Sequence, residues 1–177
     1  MSHEDVLDEV NSFMESIPSG TWERAAPIFL GIDPGATGGM AFLHPNEPKL
    51  SIAVDIPTTK VATTRKTRGG KTSYRTQTDL CALWELFESF RPWFWSLRVV
   101  IEQQQPMPRD TALTGFSVGK NFGMWPLFLH SHEISQETIR PAVWKKRMGL
   151  IGKDKEAARV KVQMLFPKRD YISKSLK

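Results

Sequence analysis

Hydrophobic and polar positions along this chain follow two spacings, one of two residues that is typical of strands and one of three to four that is typical of helices. Three short apolar runs, at residues 28–33, 39–43 and 50–56, are separated by Gly, Pro and Asn and predict consecutive antiparallel strands. Residues 97–102 are apolar apart from Arg98 and the final Glu102, and they predict a central parallel strand that is buried on both faces. Residues 134–139 are a predicted fifth strand.

Helical spacing of apolar residues predicts an N-terminal helix and several later ones. The N-terminal stretch alternates acidic and apolar positions until Pro18, so we expect residues 1–27 to form an acidic appendage helix and its linker. Prolines mark the ends of two further helices and the first turn of another. The later helices are predicted at residues 77–90, 113–130, 141–148 and 153–166.

Residues 57–76 interrupt this succession of elements. They are rich in Thr, Lys, Arg and Gly and have almost nothing to bury, so they predict either a flexible arm or an extended hairpin inserted into the domain. Around the insertion, three antiparallel strands are followed by alternating helices and parallel strands. That order predicts an α/β, RNase H-like fold over residues 28–177, with a mixed five-stranded sheet flanked by helices.

Length and composition favour one globular domain with tails, since 40% of the 177 residues are hydrophobic, which is ample for one buried core. A single cysteine excludes an internal disulfide and fits a reducing compartment. No run of eighteen apolar residues is present, so we expect no membrane partner. The formal charge of +5 favours a polyanionic partner, although many basic proteins bind no nucleic acid.

The positive charge is concentrated in two segments. Residues 60–75 hold six basic side chains and no acid, and residues 140–177 hold twelve against three acids. Contacts of Lys and Arg with phosphates supply most of the affinity of nucleic-acid-binding proteins. The candidate DNA-binding residues are therefore Arg65, Lys66, Arg68, Lys71 and Arg75 in the insertion, and Lys145, Lys146, Lys153, Lys155 and Arg159 nearer the C-terminus.

Each of these candidates also has a simpler interpretation. A basic run in a loop is by default a solvated surface, whereas Lys155 and Arg159, four residues apart on one predicted helix, share a face that could grip a phosphate. Phe116 is a candidate wedge for unstacking bases at a DNA branch point. The alternative for Phe116 is an ordinary core residue at the start of a helix.

Two acids are candidates for chemistry because each one ends a strongly apolar strand. Asp33 precedes a glycine-rich turn, and Glu102 closes the central strand. If the two strands are neighbours, both carboxylates emerge at one edge of the sheet, where they repel unless a cation lies between them. Oxygen ligands suit Mg²⁺ or Mn²⁺. The alternatives are acids that cap turns and a phosphate-binding turn of the sugar-kinase kind, while the neighbouring residues 103–105, all Gln, could contact bases or orient Glu102.

Motifs around these acids resemble a known family. Gly31-Ile32-Asp33-Pro34-Gly35 with Gly38-Gly39, and later Ile101-Glu102-Gln103, are similar to the RuvC family of Holliday junction resolvases. Further motifs resemble, in order, the compact branch that contains the plant monokaryotic chloroplast resolvase and its bacterial and phage relatives. These are Pro106-Met107-Pro108, Gly115-Phe116-Ser117-Val118-Gly119, Gly123-Met124-Trp125, Val143-Trp144-Lys145-Lys146, Lys155-Glu156-Ala157-Ala158-Arg159 and Leu165-Phe166-Pro167.

The resemblance implies a homodimer that binds a four-way DNA junction and nicks two opposed strands symmetrically with Mg²⁺, for which Mn²⁺ can substitute. It implies that Asp33 is the first metal ligand and Glu102 the second, that hydrolysis leaves a 5′-phosphate and a 3′-hydroxyl, and that no small molecule is a substrate. A plastid nucleoid, a bacterial cytoplasm and a phage-infected cell all fit this implied role.

One departure from the family keeps a second function open. In the family, a sequence like the one ending at Leu176-Lys177 continues into further basic residues and an acidic helix that completes the metal site. We therefore expect either an endonuclease whose natural sequence continues beyond Lys177 to the remaining ligands, or a non-cleaving module that binds branched nucleic acid on a nuclease fold.

Overall fold

The elements of the fold are defined by a computed structural model that describes residues 2–17, 27–35, 38–44, 46–66 and 69–166. The strands are, in chain order, β1 Ile28–Ile32, β2 Gly39–Leu43, β3 Ile52–Asp55, β4 Thr58–Lys66, β5 Thr72–Thr78, β6 Leu97–Glu102 and β7 Gln136–Ile139. The α-helices are α1 His3–Glu15, α2 Leu80–Ser89, α3 Ala112–Ser131, α4 Pro141–Met148 and α5 Lys155–Leu165. Short 3-10 helices lie at Pro48–Leu50 and Arg91–Ser96.

A mixed five-stranded sheet organises the domain, with the strand order β3-β2-β1-β6-β7. The strands β1, β2 and β3 form an antiparallel meander, whereas β6 runs parallel to β1, and β7 runs parallel to β6. The predicted α/β, RNase H-like arrangement of antiparallel strands followed by parallel ones is confirmed.

One face of this sheet forms the core. Alternate residues of β1, Ile28, Leu30 and Ile32, are buried, because successive side chains of a strand point to opposite faces. The helices α2 and α3 contribute large side chains to the same cluster, among them Phe87 and Trp125. No helix in the described part of the chain has the length and apolar character needed to cross a bilayer.

The predicted N-terminal helix forms as α1, but its packing corrects the description of it as an appendage. Ser2 begins the helix with a capping box, since its hydroxyl accepts from the N–H of Asp5 and its own N–H donates to the Asp5 carboxylate. The apolar stripe of α1, which includes Val10 and Phe13, is buried in the same cluster as the sheet. His3 contacts Glu85 of α2 at 3.0 Å. The acidic side of α1 faces outward, whereas its apolar side completes the core.

The basic insertion is a β-hairpin rather than a flexible arm. The strands β4 and β5 pair antiparallel as a separate two-stranded sheet, with a register shift between Ala62 and Lys66. A hydrogen bond of 2.9 Å from the N–H of Asp79 to the carbonyl of Pro57 closes its base. None of the described side chains of the two strands is buried. The hairpin therefore exposes both of its faces to solvent along its length.

Candidate functional site

Strand register brings the two predicted acids together. Ile32 of β1 pairs with Ile101 of β6 in parallel register, so the residues that follow them, Asp33 and Glu102, lie side by side at the carboxyl edge of the sheet. Glu102 is in turn the register partner of Ile139, the last residue of β7. The expectation that the two acid-bearing strands are neighbours is confirmed.

Asp33 is held by the turn that follows it and by a distant residue. Its Oδ1 accepts one hydrogen bond of 3.1 Å from the N–H of Gly35 and another of 3.1 Å from Nε2 of Gln104. The turn is tight, because a Cβ added to Gly38 would lie 1.9 Å from the carbonyl oxygen of Asp33. A glycine is thus required where the chain returns toward β2.

Glu102 is half-buried beside a charge of the same sign. Burial raises the pKa of its carboxyl above the ordinary value, and the charge of Asp33 raises that pKa further. The charge of Lys145 and a hydrogen bond with the Trp144 side chain act in the opposite direction. The ammonium of Lys145 also lies 5.5 Å from the centre of the Trp144 ring.

Trp144 is the residue of this site that sequence reasoning missed. Its bulk suggests a core position, but the side chain is only half-buried and reaches Glu102. The available signal is its place in the chain: α4 begins two residues after β7, whose last residue is the register partner of Glu102. A tryptophan early in that helix lies close to the acid, and its indole N–H is a donor only.

The donor set at this edge fits a divalent cation that prefers oxygen. Asp33 and Glu102 supply two carboxylates, and Mg²⁺ in proteins usually keeps several waters and binds one or two carboxylates plus phosphate oxygens. Within the described ranges no group of three or more His, Cys, Asp or Glu side chains is placed to hold an ion. The pair of acids suits a cation shared with water and a phosphate rather than an all-protein cage.

The basic residues of the hairpin lie on its exposed strands and turn. Lys66, Lys71 and Arg75 are exposed, whereas the side chain of Arg65 and all of Arg68 lie outside the described residues. Tyr74, which is 61% exposed, is paired with Ala62 across the two strands. The hairpin thus combines exposed cations with an exposed aromatic ring.

The C-terminal basic residues divide into two groups. Lys145 and Lys146 are exposed on α4, where Lys145 is near enough to act on Glu102, while Lys153 and Lys155 are exposed around the start of α5. Arg159 instead forms an ion pair of 3.0 Å with Glu156.

The Arg159 side chain also lines a groove of about 340 Å³ between α5 and the strands β2 and β3. Lys155 and Arg159 therefore differ in surroundings, although they lie one turn apart on the same helix.

Phe116 is 70% exposed near the start of α3, so the simpler interpretation as a core residue is wrong. The adjacent Gly115 lies against Pro106, whose Cγ is 3.5 Å from the point where a Cβ of that glycine would lie. Pro106 belongs to the loop that follows Glu102. The start of α3 is thereby tied to the loop that leaves the acidic edge of the sheet.

Comparison with known proteins identifies the fold. No protein-family model matches the sequence, and no curated protein matches it. Among solved structures, RuvC of Thermus thermophilus in complex with a Holliday junction substrate is similar over 82% of this chain and 83% of its own, with a TM-score of 0.50 and 14% sequence identity. Another Thermus thermophilus RuvC structure is similar over 84% of this chain and 85% of its own, with a TM-score of 0.46 and 14% identity. The chain has the RuvC fold.

Proposed function

We propose that this chain, built on the RuvC fold, is a structure-selective endonuclease that resolves four-way DNA junctions by paired, symmetric, metal-dependent hydrolysis. The observation that carries the proposal is the placement of Asp33 and Glu102 side by side at the carboxyl edge of the sheet by the register of β1 and β6. The solved neighbour with the same fold is itself a RuvC in complex with a Holliday junction substrate.

Asp33 and Glu102 are the residues that would hold Mg²⁺ or, as a substitute, Mn²⁺. When bound, the cation activates water and neutralises charge on the phosphate under attack. Gln104 and the N–H of Gly35 orient Asp33, while the Trp144 side chain contacts Glu102. The carboxylates are thus oriented by donors that carry no net charge.

Two groups of basic side chains are the proposed DNA contacts. Lys145 lies near Glu102 and is followed in α4 by the exposed Lys146, while Lys153 and Lys155 are exposed farther along the chain. The exposed cations of the hairpin form the second group, to which the proposal adds Arg65 and Arg68 as members of the same basic run. Arg159 is a weaker candidate, because a phosphate would have to compete with Glu156 for it.

Paired cuts require two active sites, so we propose a homodimer. Support comes from α3, where Leu113 and Leu127 lie on one side of the helix and are 64% and 72% exposed. Changing Leu127 to Gln should lower the sedimentation coefficient at micromolar concentration if this side is the interface. Phe116 retains its separate proposed role as a wedge at the branch point.

The proposal is tested with a synthetic four-way junction, wild-type protein and Mg²⁺. Two nicks at symmetric positions, both absent with the Asp33→Asn variant and with a linear duplex of the same sequence, are the expected result. Nicking that persists in Asp33→Asn, or that appears equally on the duplex, would show that the activity does not belong to this site.

A second function is a non-cleaving module that binds branched DNA. The observation favouring it is that the described part of the chain contributes only Asp33 and Glu102 to the acidic edge. Tight junction binding with no nicking in either Mg²⁺ or Mn²⁺ would favour this module over the endonuclease.

A further inference from the structure

We propose that Gln104 is a positioning residue, whose amide holds the Asp33 carboxylate through Oδ1 in an orientation that favours binding of a divalent cation. The inference rests on the proposed function and assigns a role to one of three consecutive glutamines that the sequence does not distinguish. Its basis is the hydrogen bond of 3.1 Å from Nε2 of Gln104 to Oδ1 of Asp33, which joins residues 71 positions apart.

Asp33 needs such a partner because packing does not hold its side chain. The residue is exposed, so its orientation depends on hydrogen bonds rather than on burial. The bond from the N–H of Gly35 is local, since it spans two residues within the turn, and turns of this kind form at many exposed Asp residues. Gln104 adds the restraint that ties Asp33 to another element.

The position of Gln104 in the chain explains what that restraint achieves. Gln104 comes two residues after Glu102, at the start of the loop that leaves β6. The backbone N–H of the intervening Gln103 donates to the carbonyl of Ile139 at 2.8 Å, which continues the pairing of β6 with β7 beyond the strand end. Gln104 therefore starts from a fixed backbone and links Asp33 to the segment that carries Glu102.

An amide suits this role better than a charged donor would. A carboxylate only accepts hydrogen bonds, so the group facing Oδ1 must be the NH₂ of the Gln104 amide. A neutral donor orients Asp33 without cancelling its charge, whereas a Lys or Arg at the same distance would compete with a cation for the carboxylate.

The turn after Asp33 lies close to this contact. A Cβ added to Gly35 would lie 3.3 Å from Oδ1 of Asp33 and 3.3 Å from Nε2 of Gln104, the two atoms that the hydrogen bond joins. A larger residue at position 35 would therefore displace these atoms by a few tenths of an ångström, so glycine at this position suits the contact.

The test measures metal affinity rather than cleavage alone. Gln104→Met replaces the amide with a side chain of similar length that has no N–H, and Gln105→Met is the matched control, because Gln105 is an exposed glutamine in the same loop. Mn²⁺ binding to the full chain is followed by electron paramagnetic resonance. Loss of a group that orients a metal ligand typically weakens affinity about 10–100-fold, so we expect about a 10-fold loss in Gln104→Met and none in Gln105→Met.

Two further measurements separate this role from other roles of Gln104. Affinity for the four-way junction in EDTA should be unchanged in Gln104→Met, since the residue acts on Asp33 and not on a base. Gln104→Asn, which keeps the amide but shortens the side chain, should show the same loss of Mn²⁺ affinity and serves if Gln104→Met does not fold.

The outcomes that overturn the inference are distinct from those that overturn the proposed function. Unchanged Mn²⁺ affinity in folded Gln104 variants, with normal binding in wild type, would remove the role of Gln104 and leave the metal site standing. Loss of junction affinity without loss of Mn²⁺ affinity would make Gln104 a DNA contact instead. If wild-type protein binds Mn²⁺ no better than the Asp33→Asn variant does, the metal site and this inference are both overturned.

Discussion

Ile32 and Ile101 are direct partners in two neighbouring parallel strands, and each of them is followed in the chain by an acid. Both isoleucines are buried, so the apolar pairing that stabilises the core also fixes where Asp33 and Glu102 emerge. A slip of one residue between β1 and β6 would turn apolar side chains away from the core, which makes the register strongly specified. The geometry of the candidate site is therefore a consequence of core packing.

The turn after Asp33 should tolerate only glycine at position 38. A Cβ there would meet backbone atoms at 1.9, 2.9 and 2.9 Å, which rotation of a side chain cannot relieve. We expect Gly38→Ala to lower the free energy of unfolding by about 3 kcal/mol or more in urea. Gly69→Ala, in the open turn of the hairpin, should change it by less than about 0.5 kcal/mol. Equal stability of the two variants would contradict the geometry of the turn.

Stability of the metal-free protein should depend on the protonation of Glu102. Because its pKa is raised above the ordinary 4.5, chiefly by burial and then by Asp33, the folded state favours the protonated form. This contribution to stability is fully present below pH 4.5 and is lost as the pH rises through the raised pKa. In EDTA, Glu102→Gln should therefore melt at a higher temperature than wild type at neutral pH, with the difference disappearing below pH 4.5.

Added Mg²⁺ provides the control for this pH effect. It should raise the melting temperature of wild type at neutral pH and leave Glu102→Gln nearly unaffected. A Glu102→Gln variant that melts below wild type at neutral pH in EDTA would contradict the expected penalty on the Glu102 charge.

Trp144 should affect metal use through Glu102. Trp144→Phe keeps an aromatic ring beneath Lys145 but removes the indole N–H, so the Mg²⁺ concentration for half-maximal cleavage should rise about 10-fold. Junction affinity in EDTA should stay the same. Trp95→Phe is the matched control, because Trp95 lies just before the opposite end of β6. An unchanged Mg²⁺ requirement in Trp144→Phe would show that Trp144 contributes only to packing.

The hairpin cations should account for part of the salt dependence of DNA binding. Replacing Lys66, Lys71 and Arg75 together by Ala should reduce the slope of log affinity against log salt by up to about three, since each lost phosphate contact lowers it by about 0.9. Lys49→Ala, which removes an exposed cation paired with Glu47 at 2.7 Å, is the control and should leave the slope unchanged. A triple variant with the wild-type slope would show that the hairpin does not meet phosphates.

Local patterning was enough to predict the sheet, but not every contact at its edge. Alternating burial in β1 and the mainly apolar run of β6 follow from the sequence, and they locate Asp33 and Glu102. Burial in β6 also alternates, with Arg98 exposed, so this strand is not buried on both faces as predicted. The role of Trp144 depends on the short path from β7 into α4, which no local property of the residue reveals. Among the three consecutive glutamines, only the course of the loop after β6 determines which one meets Asp33.

Helix α1 illustrates a different limit. Its sequence is strongly acidic, and these charges suggest an exposed helix even though an apolar stripe runs through Val10 and Phe13. That stripe is buried because α2 and β3 offer it apolar surfaces, and such surfaces belong to parts of the chain far away in sequence. The sequence also left open whether the insertion is a flexible arm or a hairpin. Its exposed Thr and Lys residues form a hairpin through pairing of the two strands and not through burial of side chains.

The length of the hairpin matters as well as its charge. Its strand β4 has nine residues, and at about 3.4 Å per residue it extends about 30 Å from its base at Pro57 and Asp79. Duplex DNA rises about 3.4 Å per base pair, so this length spans about nine base pairs. Under the proposed junction binding, the length of the strands, more than the identity of any side chain, sets how far along a DNA arm the hairpin can reach.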